Sequence, residues 1–403
     1  MKDTERNCQL LVDCGLLSAD EVEAQLAAWR DANEALENEE PVDFLDWLVE
    51  KELLTEFQRD AVGAGHAVPG LKVGPYRVYE MVAAGRLGSV FRARHDEFDQ
   101  QVSLKIFPPA AKDDEETLAR IGRELRVSLG LEHPNVLRSF DVGCIGTTHY
   151  LALEVLHGET LAARLEREGS MSFEDTCRIG YDLAQGLAYL HENDVVHRNV
   201  CPETIWITSE GVAKIMEFGA ARDAFAEVDT VGDVQLTTDS TAFGELALTA
   251  PEQTQDARRA DALSDIYALG ATLHVCLAGE PPFTDKNPVR LVVKILTEDV
   301  QPISERNSDV PVQFDDTLAG MLAKAPEDRF RDAGQVAAAL NQYLPEEVDE
   351  ERIVIVDVSP GYLEWLESRR KPSNTTLPED AVGISPELVD FLTWISDIGS
   401  PGA

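Results

Sequence analysis

The chain is poor in basic residues and has no long apolar run. Its 403 residues contain 35 Lys and Arg against 74 Asp and Glu, a formal net charge of −39 at pH 7. An electrostatic field of that sign repels nucleic acid and anionic lipid headgroups, so neither is expected as a partner. The longest uncharged apolar-rich run, 268–279, is far shorter than the roughly 20 residues that a membrane helix needs.

The six cysteines provide neither a metal cage nor a disulfide framework. They include no Cys-x-x-Cys pair and no histidine at zinc-ligand spacing, which indicates reduced thiols. The chain also opens with the polar stretch Met1–Asn7 rather than with an apolar signal segment. Together these features predict a soluble protein of the cytoplasm.

A repeat in the first 70 residues predicts a helical module. Residues 11–18 return 37 positions later as residues 48–55, and each copy ends on a hydroxyl residue that opens a capping box. The capping residues are Ser18, Glu21, Thr55 and Gln58. The sequence therefore predicts two helical hairpins over residues 1–70, and it leaves open whether they pack on the next domain or bind a partner.

The rest of the chain divides into a long α+β segment and an acidic tail. Over residues 71–344, short β-branched runs are followed by long helical patterns, which is typical of an α+β fold with strands first. Residues 345–403 carry 13 Asp and Glu against 4 Lys and Arg. An amphipathic helical pattern begins near Ser385, and its apolar face could dock on this chain or in a partner's groove.

A glycine-containing loop and a lysine on the following strand indicate a phosphate site. The loop Val82–Val90 includes Gly85 and Gly88, and glycines let backbone N–H groups approach phosphate oxygens. Lys105 follows on the next strand, and Glu124 lies on a helical pattern 19 residues further. A strand lysine and a helix glutamate at this separation can form an ion pair that holds the lysine on nucleotide phosphates.

With these motifs, the sequence resembles the eukaryotic-like (Hanks-type) serine/threonine protein kinases of bacteria. The remaining landmarks follow in order: Leu153–Leu156, His197–Thr204, Glu217–Gly219, Ala250–Glu252, Ser264–Gly270 and Asp328–Arg329. The resemblance implies a bilobal protein-kinase-like fold in which Arg329 pairs with Glu252. It assigns these positions to the nucleotide site: Val82, Gly85, Gly88, Val90, Lys105, Glu124, Glu154 and Trp206.

The residues that transfer phosphate in the family are replaced in this chain. Asn199 stands for the catalytic aspartate, Cys201 for the lysine two residues on, and Thr204 for the metal-binding asparagine. Glu217 and Glu245 stand for the metal-binding aspartate and the activation-segment threonine. A neutral amide cannot act as a base, a thiol is no cation, and a hydroxyl is a poorer Mg²⁺ ligand than an amide oxygen. No competent catalytic residue and no Mg²⁺ binding are expected, with Glu217 as the only metal candidate.

Trp206 occupies the position of the family's small aliphatic residue beneath the adenine ring. An indole is about the size of adenine and buries up to about 250 Å², so Trp206 is expected to fill the slot that ATP would occupy. In the alternative interpretation, Trp206 turns into ordinary core. Because Gly85, Gly88 and Lys105 are retained, the sequence predicts weak ATP binding rather than none.

The resemblance and its departures predict a catalytically inactive pseudokinase. Such a protein would act by contact with other proteins, as a scaffold or allosteric regulator of an active kinase or its substrate. Two alternatives stay open at this point. One is a weak ATP-dependent serine/threonine kinase that uses Glu217 and Lys105 with one metal ion. The other is an interaction protein in which the kinase fold serves as a rigid spacer.

Overall fold

The computed structural model of the chain contains two compact units. It describes residues 2–34, 42–65, 71–85, 88–107, 131–145, 148–216, 240–345 and 358–370. The first unit comprises 1–121, 139–155 and 356–403, and the second comprises 122–138 and 156–355. Within the described residues, no helix combines the length and the apolar character needed to span a bilayer.

Four helices open the first unit: α1 (Lys2–Asp13), α2 (Ala19–Glu34), α3 (Phe44–Glu50) and α4 (Glu56–Ala64). The predicted repeat is a structural repeat, because both copies make the same turn between their two helices. Gly15 donates its backbone N–H to Val12 and Glu52 donates to Val49, each at 2.9 Å. Both donor residues have a positive φ, 63° and 57° respectively. The predicted helical hairpins are confirmed.

The two turn residues give a matched test of backbone strain. Replacing Glu52 with glycine should stabilise the protein by about 1 kcal/mol, because a left-handed backbone is costly for a residue with a Cβ atom. Gly15→Ala should destabilise it by a similar amount, since an added Cβ meets no atom within 4 Å and only the conformational cost remains. Chemical denaturation of the two variants measures both changes. A Glu52→Gly protein no more stable than wild type would contradict this account.

A six-stranded antiparallel sheet follows the helices in the first unit. Its strands are β1 (Lys72–Val73), β2 (Tyr76–Gly85), β3 (Gly88–His95), β4 (Gln101–Ile106), β5 (Ser139–Ile145) and β6 (Thr148–Leu153). Their spatial order is β1-β2-β3-β4-β6-β5. Val90 pairs with Lys105, and Phe91 pairs with Leu104. Because side chains alternate along a strand, the first pair lies on one face of the sheet and the second on the opposite face.

The face of the sheet that carries Phe91 and Leu104 is covered by helices from outside the strand region. Buried residues of α1 to α4, this sheet face and the tail helix α13 (Pro360–Arg370) form one hydrophobic core. The Phe57 ring of α4 lies 6.0 Å from the Phe91 ring, and Tyr362 of α13 is fully buried. The domain boundaries at residues 70 and 345 stay predictions, and the predicted helix near Ser385 lies outside the described residues.

The second unit is mainly helical. Its elements are β7 (Gly158–Thr160), α5 (Leu161–Glu168), α6 (Phe173–Glu192), β8 (Ile205–Thr208), β9 (Ala213–Ile215), α7 (Ser240–Leu248), α8 (Pro251–Gln255), α9 (Ala262–Ala278), α10 (Pro288–Thr297), α11 (Val312–Met321) and α12 (Ala333–Asn341). Helix α9 is buried along most of its length. Arg329 and Glu252 form the predicted ion pair through two bonds of 2.8 Å. A strand-rich unit and a helix-rich unit confirm the α+β plan.

Candidate functional site

The described part of the predicted phosphate loop belongs to strands β2 and β3, where Gly85 pairs with Gly88. The loop tip, residues 86 and 87, lies outside the described residues. Val82 is 47% exposed and lies at a register shift between Met81 and Ala83. Gly88 has a φ of 135°, and a Cβ atom there would lie 2.4 Å from the carbonyl oxygen of Ile106. Glycine is therefore required at position 88 by the packing of β3 on β4, whatever the loop binds.

Lys105 and Val90 are cross-strand neighbours on the sheet face opposite the shared core. Lys105 is buried, and its Nζ lies 5.4 Å from the centre of the Phe107 ring. Glu154 directly follows β6 and is also buried. Glu124 lies outside the described residues, so its ion pair with Lys105 stays a prediction. The first unit thus places Val90 and Lys105 side by side, and their part in a nucleotide site stays a prediction.

A buried carboxylate at the start of α9 holds the segment that resembles a catalytic loop. Asp265 accepts the backbone N–H of His197 at 2.8 Å and that of Arg198 at 2.6 Å. Its Oδ2 also lies 2.9 Å from Nε2 of His191. Arg198 has a positive φ of 71°, a strained conformation that these surrounding bonds hold in place. The loop therefore keeps a defined shape although its chemical groups differ from those of the family.

Thr204, at the position of the family's metal-binding asparagine, is turned into the loop. Its Oγ1 lies 2.8 Å from the carbonyl oxygen of Asn199 and 3.1 Å from that of Cys201. The same oxygen accepts the backbone N–H of Cys201 at 3.2 Å. Thr204 is only 3% exposed. A hydroxyl has one proton to donate and two lone pairs to accept with. In Thr204 the proton and at least one lone pair are used in hydrogen bonds that close the loop.

Cys201, at the position of the family's lysine, is a buried neutral thiol. Burial raises the pKa of this thiol well above its usual value, and the Glu203 carboxylate raises it further. A neutral group shielded from solvent cannot stabilise charge that develops on a phosphoryl group.

Asn199 stands at the position of the family's catalytic aspartate. The backbone N–H of Asn199 donates to Nδ1 of His197 at 3.3 Å. The side chain of Asn199 is a neutral amide, which cannot act as a base at neutral pH.

The described residues contain no group of three or more His, Cys, Asp or Glu side chains that could hold a metal ion. The expectation that this chain binds no Mg²⁺ stays a prediction. The Thr204 hydroxyl is engaged within its own loop, and Glu217 lies outside the part of the chain that the structure describes. Glu245 lies on α7, where its carbonyl oxygen accepts a hydrogen bond from the Thr249 hydroxyl at 3.0 Å.

Trp206 lies on the middle strand of the small sheet β7-β8-β9. It pairs with Thr160 of β7 and with Lys214 of β9, and its side chain is half-buried. The indole N–H donates to the carbonyl oxygen of His157 at 3.4 Å. His157 directly follows the hinge-like segment 153–156, so the indole is tied to the chain just past that segment. Whether the indole fills an adenine slot stays a prediction.

Two residues that stabilise the loop were missed by sequence reasoning. Asp265 was identified only as part of a landmark, although it carries two backbone N–H groups of the loop. Gln253, which follows the Ala250–Glu252 landmark, donates to the Arg198 carbonyl oxygen at 3.1 Å. The loop-closing hydrogen bonds of Thr204 were not predicted either, because the resemblance places this residue at a metal-binding position. Each contact joins residues far apart in sequence or depends on a side-chain direction that spacing does not reveal.

Comparisons with known proteins agree with the landmarks in the sequence. The protein kinase domain family matches residues 76–342. A probable serine/threonine-protein kinase of Clostridium acetobutylicum is 25% identical over 69% of this chain and 42% of its own length. Serine/threonine-protein kinase PknB of Mycobacterium tuberculosis is 31% identical over 66% of this chain and 42% of its own length. The chain therefore spans about two fifths of each of these curated relatives.

A solved structure of a kinase domain is also similar to this chain. The crystal structure of the Mycobacterium tuberculosis PknI kinase domain is similar to this chain with a TM-score of 0.52 and 25% sequence identity. The similarity covers 68% of this chain and 97% of the PknI domain. Helices α1 to α4 and α13 lie outside residues 76–342, the part that matches the protein kinase domain.

Proposed function

Because the chain belongs to the protein kinase family, we propose that it is a kinase-like signalling protein with an impaired phosphoryl-transfer site that works by contact. The α+β protein-kinase fold is confirmed by the family match and by the PknI structure. Kinases of this family generally use ATP and a divalent metal. The proposal concerns how far this chain has departed from that chemistry.

The proposal rests on the side chains that the catalytic-loop segment carries and on the hydrogen bonds that they make. The cation is replaced by the neutral thiol of Cys201, and the metal ligand is replaced by the hydroxyl of Thr204, which closes the loop. Asn199 offers no base. Loss of a general base alone typically costs 10²- to 10⁴-fold in rate, and the loss of charge that stabilises the transition state adds to that.

We expect purified protein to transfer no phosphate from γ-labelled ATP to itself or to basic protein substrates above the level of Lys105→Met. Asn199→Asp alone should stay at this background, because the cation and the metal ligand are still missing. Label incorporation over time, with an active kinase as the positive control, measures both. Transfer that depends on Lys105 in the wild-type protein would contradict the proposal.

The second candidate is a weak serine/threonine kinase. It is favoured by the retained placement of Lys105 beside Val90 on one face of the sheet. The transfer assay separates it from the first candidate, since only a weak kinase gives signal that Lys105→Met removes. A third candidate, a kinase fold used as a spacer between interaction modules, predicts that neither ATP nor any change at Lys105 alters partner binding.

The partners that we propose are other proteins, namely an active kinase or its substrate. This choice follows from the family, because a kinase fold without transfer activity retains surfaces by which kinases meet each other and their substrates. The formal charge of −39 argues against nucleic acid and anionic membranes as partners. Location in the cytoplasm is part of the same proposal.

A further inference from the structure

Helix α4 is hydrogen-bonded to strand β2 through Thr55 and Gln58, the two residues of its own capping box. The Thr55 hydroxyl donates to the carbonyl oxygen of Tyr79, and the Gln58 amide Nε2 donates to that of Val78 at 2.9 Å. The same side chains also close the helix start, since Thr55 Oγ1 accepts the Gln58 N–H and Gln58 Oε1 accepts the Thr55 N–H, each at 3.1 Å. Gln58 is only 5% exposed.

The two carbonyl oxygens lie where the pairing of β2 with β3 is interrupted. Val78 pairs with Ala93 and Glu80 pairs with Arg92, so Tyr79 is an extra residue between two regular pairs. A bulged residue is left unpaired within the ladder and bends the strand locally. The hydroxyl of Thr55 supplies a partner to the Tyr79 carbonyl oxygen. Helix α4 therefore stabilises β2 at its bulge, a few residues before the loop tip.

The tail helix α13 holds the open end of the same hairpin. The hydroxyl of Tyr362 lies 2.8 Å from that of Tyr76, the first residue of β2. The rings of Tyr362 and Trp365 lie 5.4 Å and 4.5 Å from the imidazole of His95, the last residue of β3. Arg369 of α13 also pairs with the buried carboxylate of Asp141 at 3.2 Å.

We propose that α4 and α13 order the β2–β3 hairpin in the absence of nucleotide. Both helices lie outside the 76–342 segment that matches the kinase family, so the chain supplies from its own flanks a support for the loop that would hold phosphates. Because coupling between two sites is reciprocal, a ligand that loosens the helical module also loosens the loop tip, and a ligand that orders the tip tightens the module. This inference holds whether or not the protein transfers phosphate.

The first copy of the repeat provides a matched control. Glu21 takes the place of Gln58, and its carboxylate accepts the N–H and the hydroxyl of Ser18, each at 2.7 Å. Both residues are exposed. The two copies thus share a capping box, but the second copy uses an amide donor to reach the sheet.

Gln58→Glu separates the hydrogen bond from Gln58 to β2 from the capping box of α4. Glutamate preserves the capping box that starts α4, but it replaces the donor to Val78 with an acceptor. In full-length protein without nucleotide, backbone hydrogen exchange over residues 80–91 should become at least about tenfold faster, because one net hydrogen bond is lost and a buried carboxylate is left facing a carbonyl oxygen. Exchange within α4 should be unchanged, and Glu21→Gln should leave exchange in the hairpin unchanged.

Three results would overturn the proposal. They are unchanged exchange in the hairpin of Gln58→Glu, an equal acceleration in β5 and β6, and an acceleration of the same size in Glu21→Gln. If Gln58→Glu does not fold, Gln58→Met removes the amide without burying a charge. That variant must then show the same acceleration confined to residues 80–91, and its absence overturns the proposal.

Discussion

Replacing Arg329 with methionine is expected to lower the free energy of unfolding by about 3–5 kcal/mol, because the buried carboxylate of Glu252 then loses its cation. The Arg329 side chain is fully buried and that of Glu252 is 11% exposed. The guanidinium also donates to the carbonyl oxygens of Leu263, Ala323 and Lys324. Urea unfolding of the full chain measures this decrease in the free energy of unfolding.

The double variant Arg329→Met with Glu252→Gln is the control for this prediction. It removes both charges, so it should be more stable than the sum of the two single changes predicts. Replacing a buried ion pair by neutral groups is often far less damaging than breaking it. An Arg329→Met protein within about 1 kcal/mol of wild type would show that Glu252 finds another partner or reaches water.

The same ion pair contributes to acid stability. Burial raises the pKa of Glu252, but hydrogen bonds from Arg329 and Ser264 outweigh burial, so the pKa lies below its usual value. A carboxyl with a lowered folded-state pKa stabilises the protein above its unfolded-state pKa, and this contribution disappears as the pH falls through the folded-state pKa. In the double variant this part of the acid sensitivity should be missing, which unfolding curves at descending pH would record.

Trp206→Leu is expected to strengthen ATP binding and to lower the melting temperature of the free protein. If the indole fills the predicted adenine slot, a nucleotide must displace about 100 Å² of buried apolar surface, worth about 2.5 kcal/mol or roughly 60-fold in affinity. Isothermal titration with ATP, with and without Mg²⁺, measures the affinity. Trp206→Phe is the matched control, since it keeps an aromatic ring while removing the hydrogen bond to His157.

The outcome of this titration decides whether Trp206 fills the adenine slot or turns into ordinary core. Micromolar ATP binding by the wild-type protein, or equal affinity in Trp206→Leu, would contradict a filled slot. Tighter binding in Trp206→Leu but not in Trp206→Phe would mean that an aromatic ring at this position, rather than the hydrogen bond to His157, keeps the nucleotide out. A ligand that binds the folded state also raises its apparent stability, so thermal shifts provide an independent check.

The sequence alone was sufficient for features that depend on local patterns or on the order of landmarks. The repeat and both capping boxes were predicted because a capping box joins residues three apart and the repeat returns after 37 positions. The α+β plan and the pair between Arg329 and Glu252 followed from landmarks in order. The proposed loss of the cation and the base at Cys201 and Asn199 rests on residue identity, which needs no coordinates.

Only the tertiary structure decided which surfaces these elements meet. The amide of Gln58 reaches a β2 carbonyl 20 residues away, and the hydroxyl of Tyr362 meets that of Tyr76 across 286 residues. No periodicity encodes such contacts, because the same amphipathic helix could bury its apolar face against any complementary surface. The direction of the Thr204 hydroxyl was equally hidden, since a side chain's rotamer is chosen by its neighbours in space. Local patterns thus determined the elements, and long-range packing determined what each of them holds in place.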